Sequence, residues 1–415
     1  MSLLSGAPSA EAATITWTGA ADSNWFNFAN WSPAQVPTSA DDAIIDLNAT
    51  VSAAGGTSVS FATLALGDVA GNFSPTLRLS AAESTSGAVT IHRGAKLQHD
   101  TNLQISLGAL SVLPGGMLTH TANSTARSFL VNLNVTGNFD LQAGATIALN
   151  GLGYMGGIGP QAQPKNGFGP GAGSYDGTGS GAGHGGAGGN SSSGLAGGAS
   201  NDSATNPTDL GSGGGAAVNA PGGAGGGAAL IAVGGVFSLN GFIDASGVNG
   251  ATSASGYGSG GGAGGTVNLV AAMFNGIGMV LANGGVGGTG SGRGGGAGGG
   301  RIAIIVTGSD SSQLNIQANG GSSGGTGAVN GGAGVIALKT TGGANYNLSI
   351  GDLTAVPETG SGVGGAVLEF STVTLNNSIV NFDPASNVTI NSLVVAGGAA
   401  LPYNHPPTYR LNCVG

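Results

Sequence analysis

The sequence predicts an all-β fold, a right-handed parallel β-helix with glycine-rich loops and a tryptophan-rich N-terminal cap. Three observations carry this expectation: 87 glycines in a chain with only 7% charged residues, a glycine–alanine motif that recurs at near-constant spacing ahead of apolar strands, and short runs alternating with period two on either side of it.

Composition sets the bounds. Of 415 residues, 40% are hydrophobic and only 7% charged, which fits neither a highly charged disordered polymer nor a typical cytosolic enzyme. Nine basic against eighteen acidic side chains leave a net charge of −9, and no Lys or Arg occurs between Lys165 and Arg293. Phosphate backbones and anionic bilayers are recognised by basic stripes, so neither nucleic acid nor a membrane surface is an expected partner. No apolar run approaches the roughly 20 residues that span a bilayer, so membrane insertion is not expected either. The single cysteine, Cys413, excludes an intrachain disulfide, and stability has to come from stacking.

Residues 1–13 read as a leader or signal remnant: Ser5 to Ala13 has the small residues of a signal-peptidase site without a basic or a full apolar region before it. Residues 14–49 hold all three tryptophans, Trp17, Trp25 and Trp31, and are expected to plug one open end of the coil, where apolar interior and strand edges would otherwise meet water. Residues 50–151 read as β-helix coils, with alternating runs at Ser58–Leu66, Leu103–Leu107, Leu110–Leu113, Leu133–Leu141 and Ala145–Leu149. Residues 152–227 are a glycine-rich insertion whose composition alone would also suit a disordered linker.

Residues 228–365 argue for order. Gly-Gly-Ala-Gly is centred on Ala224, Ala263, Ala297 and Ala333, at spacings of 39, 34 and 36, and each copy leads into an apolar strand: Ala229–Val233, Thr266–Val270, Arg301–Val306 and Val335–Leu338. Second strands follow, over Phe237–Gly247, Ile277–Gly284 and Leu314–Gly320, with turn alanines Ala245, Ala282 and Ala318 keeping spacings of 37 and 36. Repeats of about 36 residues signal a solenoid, in which one repeat buries its apolar face only against the next. Between the strands, glycines approach one another without Cβ clashes, so these loops are expected to run as polyproline-II-like strands packed over the coil. Residues 366–400 return to coils, with strands expected at Ala366–Phe370, Val373–Leu375, Ile379–Phe382, Val388–Ile390 and Leu393–Val395, and 401–415 form a proline-rich tail.

On these residues the chain resembles a broad class of glycine-rich, autotransporter-like bacterial secreted and cell-surface β-helix proteins, largely uncharacterised. The resemblance rests on Gly294-Gly-Gly-Ala-Gly-Gly-Gly-Arg301-Ile-Ala-Ile, on Gly169-Pro-Gly-Ala-Gly and Gly181-Ala-Gly-His-Gly-Gly, and on the Trp-Thr-Gly, Asn-Trp and Pro-x-x-x-Asp-Asp opening. It implies a fold and a secreted or bacterial cell-surface location rather than a reaction.

Candidate site residues are few. Trp17, Trp25 and Trp31 could stack on sugar rings or form the buried cap; their apolar neighbours Ile15, Phe26 and Phe28 favour the cap. His184, alone among glycines, could ligate a metal or bond to backbone carbonyls, and the second fits the absence of nearby Cys or His. Arg301 is expected to anchor carbonyls of the preceding glycine loop, with sugar binding the weaker alternative. Catalytic β-helices use clustered carboxylates; the only adjacent acidic pair, Asp41-Asp42, reads as a turn that ends the cap, and Asp202 and Asp209, which could form a second pair, as solvated loop residues. Calcium-binding β-rolls repeat Gly-Gly-x-Gly-x-Asp, and Gly284-Gly-Val-Gly-Gly-Thr lacks the Asp; only an isolated ion at Asp22 or Asp176 is left open. Gly-x-Gly-x-x-Gly matches carry no weight without a strand–turn–helix unit. No cofactor and no catalytic residue is expected. The reading is an extracellular structural or adhesive protein that self-associates or holds surface glycans, with a carbohydrate-binding adhesin module the first alternative and a polysaccharide-degrading enzyme a weaker one.

Overall fold

A computed structural model describes residues 12–54, 58–159 and 165–339, together with the backbone of the strands Tyr346–Ile350, Val367–Asn376 and Asn387–Ala396. It is all-β, with one 3-10 turn at Phe28–Asn30 among the described residues.

Two open, mainly parallel sheets organise the chain, one of 17 strands and one of 8. The smaller adds strands in chain order, Thr50–Ala53, Thr76–Leu79, Lys96–His99, Met117–His120, Thr146–Ala148, Phe242–Asp244, Met279–Leu281 and Asn315–Gln317, each parallel to the last. The larger sheet takes Asp42–Ile45 before the first of these, and between them the chain crosses to it through Thr63–Leu66, Ala88–Ile91, Ala109–Val112 and Phe139–Leu141, and later through the longer Ala228–Leu239 and Thr266–Asn275.

Alternation explains the core. In strand after strand every second side chain is buried, as in Thr63–Leu66 and Thr76–Leu79, because successive side chains of a strand point to opposite faces. Parallel register then places like on like. Val51, Leu77, Leu97, Leu118, Ile147, Ile243 and Val280 are consecutive partners, each at most 1% exposed. Each such residue contributes about 1.5–3 kcal/mol of burial. In the larger sheet Phe139 and Phe237 stack at 4.5 Å and 6°, and Phe274 continues the column at 4.9 Å. Gly94, Gly115 and Gly144, at φ of +81°, +81° and +85°, occupy equivalent turns, and a left-handed conformation of this kind favours glycine.

The expected strands largely form where the alternation places them. Arg301–Val306 has the expected bounds, whereas Ala228–Leu239 and Thr266–Asn275 run on past theirs. Of the expected second strands, the first divides between the end of Ala228–Leu239 and Phe242–Asp244, and the others shorten to Met279–Leu281 and Asn315–Gln317, with the glycines after them outside the sheet. The C-terminal pairs of short runs fuse into Val367–Asn376 and Asn387–Ala396, paired in parallel. Tyr346–Ile350, unforeseen, pairs antiparallel with Val335–Lys339. The leader (but for residues 12 and 13), the run at Ile379–Phe382 and the proline-rich tail lie outside the described residues.

Most glycines of 165–227 and of the later repeats are buried and belong to no strand. Their hydrogen bonds follow a rule of three. Gly258, Gly261 and Gly264 donate to Gly292, Gly295 and Gly298; Ser259, Gly262 and Gly265 donate to Ala251, Val248 and Ala245; Gly260 and Ala263 donate to Gly215 and Ser212. The same stretch accepts from Gly179 and Ala182, from Gly223 and Gly226, and from Gly285 and Gly288. It thus joins three neighbours through its N–H groups and three others through its carbonyls. A strand, with period two, has only two in-plane neighbours. Side chains are excluded by distance: a Cβ on Gly260 would lie 1.8 Å from the Ser180 carbonyl oxygen, and one on Gly262 2.0 Å from that of Ala224.

Candidate functional site

The N-terminal segment is tied together by Asn30, a fully buried residue that sequence reasoning did not single out. Its Oδ1 accepts from the N–H groups of Ala21 and Asp22, and its Nδ2 donates to Asp22 Oδ1 and to the Asn24 carbonyl. This knot sets Trp25 and Trp31 edge to face at 4.8 Å and Trp17 against Trp31 at 5.0 Å, while Trp31 Nε1 donates to the Trp25 carbonyl at 2.8 Å. All three indoles are at most 2% exposed, so none presents a ring face to solvent. Trp31–Ser32 pairs along Thr14–Trp17, and Asn24 bridges to Ser52, which covers the first strand of each sheet. Of the flanking apolar residues, Ile15 is buried and Phe28 is 61% exposed.

His184 and Arg301 both reach the Asn201–Asp202 segment at a second place, where glycine-rich segments meet the larger sheet. Both are fully buried. The His184 ring holds the Gly264 carbonyl at 2.8 Å through Nδ1, and its Nε2 is 3.6 Å from Asp202 Oδ2, an ion-pair distance. Arg301 Nε donates to the Asn201 carbonyl at 2.7 Å. Arg301 therefore anchors a carbonyl of the 199–210 loop.

Asp202 organises that loop. Its carboxylate accepts from the N–H groups of Ser203, Thr208 and Asp209, and the residue adopts a φ of +67°. Burial pushes its pKa up, but His184 and the N–H donors outweigh that and hold the carboxyl below the usual carboxylate range. Burial lowers the Arg301 pKa to about 10, opposed by the charge of Asp202. Asp209 accepts from the Tyr154 hydroxyl, whose pKa is pushed up to about 12 by burial and by that carboxylate. Asn268 donates to Asn206 Oδ1 and to the Pro207 carbonyl, fastening the loop to the sheet. Leu130, Tyr154, Leu210 and Ala228 form a small apolar cluster beside it. Asp202 and Asp209 are thus parts of one fixed loop rather than solvated residues; only their spacing within an Asn/Ser/Thr-rich stretch hinted at this.

The other acidic residues singled out from sequence serve local turns. Asp41 accepts from the N–H and hydroxyl of Thr38 and the N–H of Ala13, and Asp42 from the Thr63 hydroxyl. Asp22 accepts from Asn24, Asn27 and Asn30, and Asp176 sits in a two-residue strand of a small hairpin. Among the described residues no three His, Cys, Asp or Glu side chains gather as a metal site, and no helix is long and apolar enough to cross a membrane.

Two buried titratable features lie in the core. His99 and His120 are direct partners in the smaller sheet, and burial lowers their pKa values to about 3 and about 4, with the His120 charge a further cause for His99. Glu83, 2% exposed, pairs above Ile105 and accepts the Val59 N–H at 2.7 Å; burial raises its pKa to about 7.

Comparison with protein-family models, with curated proteins and with solved structures finds no match to this chain.

Proposed function

We propose that this chain is an extracellular structural or adhesive protein of a bacterial cell surface, a stalk, matrix component or self-assembling filament subunit, with a mechanical rather than catalytic role. In this reading the two sheets are faces of a right-handed parallel β-helix, the hand that parallel crossovers adopt. The Trp-rich segment is its cap, and the glycine stretches are polyproline-II-like strands bundled against it.

The observation that carries the reading is the three-residue recurrence of hydrogen bonds around Gly258–Gly265, which reach neighbours on every side. A polyproline II strand has three residues per turn and no internal hydrogen bonds, so its N–H and C=O groups point outward in three directions. A stack of this kind gives stiffness without a large side-chain core, which suits a load-bearing part. The carboxylates of Asp22, Asp41 and Asp202 are engaged with backbone N–H groups, consistent with turn-building rather than substrate chemistry.

Amide exchange of the purified protein, followed by electron microscopy, tests both levels. The reading expects slow exchange across Gly258–Gly265 and elongated or filamentous particles. Glycine amides that exchange at coil rates would remove the bundle, and compact monomers at high concentration would remove the filament.

A further inference from the structure

The outermost glycine layer ends in a ladder of side chains that the proposed function does not use. This layer consists of the segments 245–252, 282–289 and 318–324, one from each repeat. Their hydrogen bonds run in two of three directions: sideways, as Gly247 to Asn283, Gly250 to Val286, Gly284 to Asn319 and Gly287 to Ser322, and inward, as Val248 to Ala224, Gly285 to Gly262 and Gly288 to Ser259. The third direction faces water. There the N–H of Asn283 donates to Ser246 Oγ at 3.2 Å, that of Val286 to Asn249 Oδ1 at 2.9 Å, that of Thr289 to Thr252 Oγ1 at 2.9 Å and that of Asn319 to Asn283 Oδ1 at 2.8 Å. Each acceptor is the equivalent residue of the preceding repeat.

The sequence of the layer follows the same geometry. In Asn283-Gly-Gly-Val-Gly-Gly-Thr289 glycine fills the positions that meet another chain segment, where a Cβ on Gly284, Gly285, Gly287 or Gly288 would lie 2.1–2.2 Å from a neighbouring carbonyl oxygen. Every third position, facing solvent, carries a side chain instead. A glycine stack with bare outer N–H groups is an open template, in the way that an unpaired sheet edge is.

We propose that Ser246, Asn249, Thr252, Asn283, Val286 and Thr289 close the glycine stack at its outer face, so that neither another glycine segment nor a second copy of the chain can add to it. They do so twice over: four of the side chains, Ser246, Asn249, Thr252 and Asn283, occupy outer N–H groups sterically and by hydrogen bonding, and every Cβ holds off a backbone approach. The inference goes beyond the proposed function and holds whether or not copies associate through some other surface.

The test converts the closed face into an open one. The variant Asn249→Gly, Thr252→Gly, Val286→Gly and Thr289→Gly is compared with the wild-type chain by sedimentation velocity at matched concentration. The expected result is at least a twofold rise in weight-average mass with an unchanged far-UV spectrum. A folded variant that sediments as the wild type does overturns the proposal. If the added chain entropy of four glycines prevents folding, the wild-type protein decides alone: amide exchange at Asn283, Val286 and Thr289 is expected at least tenfold slower than in an unstructured peptide, and coil-rate exchange there overturns it.

Discussion

His184 Nδ1 stands 2.8 Å from the carbonyl oxygen of Gly264, eighty positions further along the chain, with the imidazole fully buried between the two segments. The ring is accommodated where this glycine segment meets the Asp202 loop, with Nε2 3.6 Å from Asp202 Oδ2. The His184–Asp202–Arg301 junction is where the glycine layers acquire a fixed position on the sheet, since glycines alone carry no side chain to define one.

Truncating the junction should therefore be costly. Arg301→Ala is expected to destabilise the protein by about 2–3 kcal/mol, because it leaves the Asn201 carbonyl without its buried donor and removes the positive charge near Asp202. Arg301→Lys should recover only part of this, as one ammonium does not reproduce the guanidinium fork. Denaturant midpoints of the two variants measure the difference; equal and negligible losses would dismiss the junction as an anchor.

Glycines in the stack should differ sharply from glycines in turns. Gly260→Ala places a methyl group against the Ser180 carbonyl and is expected to cost about 3 kcal/mol or more. Gly177→Ala has open space around it and only a φ of +76° to oppose it, so about 1 kcal/mol is expected. Thermal unfolding of the pair, run side by side, checks the ranking.

Buried Glu83 and the two histidines give stability opposite pH slopes. The folded pKa of Glu83, about 7, lies above its ordinary value of 4.5, so its neutral form is favoured by folding and its contribution falls as pH rises from 4.5 to 7. His99 and His120 have folded values of about 3 and about 4, below 6.5, so their contribution is lost as pH falls from 6.5 through that range. Glu83→Gln is expected to remove the first slope, leaving stability that only rises between pH 4.5 and 6.5. Urea titrations at several pH values would show it, and identical pH profiles for wild type and variant would refute it.

The tryptophans offer an optical check. With all three buried, native emission should be blue-shifted and acrylamide quenching several-fold weaker than after unfolding, and soluble glycans should leave the spectrum unchanged. Trp31→Ala, which removes the ring touching both others, is expected to cost about 3–5 kcal/mol.

Much of the strand layout was legible. Alternation at Leu64 and Leu66 or Leu110 and Val112 reports which side chains face inward, and the alanines at 245, 282 and 318 fall at equivalent, buried positions after the smaller-sheet strands. The candidate sites were legible only in part. His184 and Arg301 stood out as isolated polar residues among glycines, yet Asn201, Asp202 and Asn268, which surround them, looked like ordinary loop or strand residues. Arg301 reaches the Asn201 carbonyl, one hundred positions away, and no local pattern encodes so distant a partner.

The sequence by itself determined the period, the strands and the places where no side chain is admitted, because these follow from local alternation and from the absence of Cβ atoms. Only the tertiary structure decided where the glycine segments lie relative to one another and to the sheets. A glycine offers the same N–H and carbonyl to any neighbour, so the choice among neighbours falls to a few distant polar contacts, such as His184 with Gly264 and Asn249 with Val286.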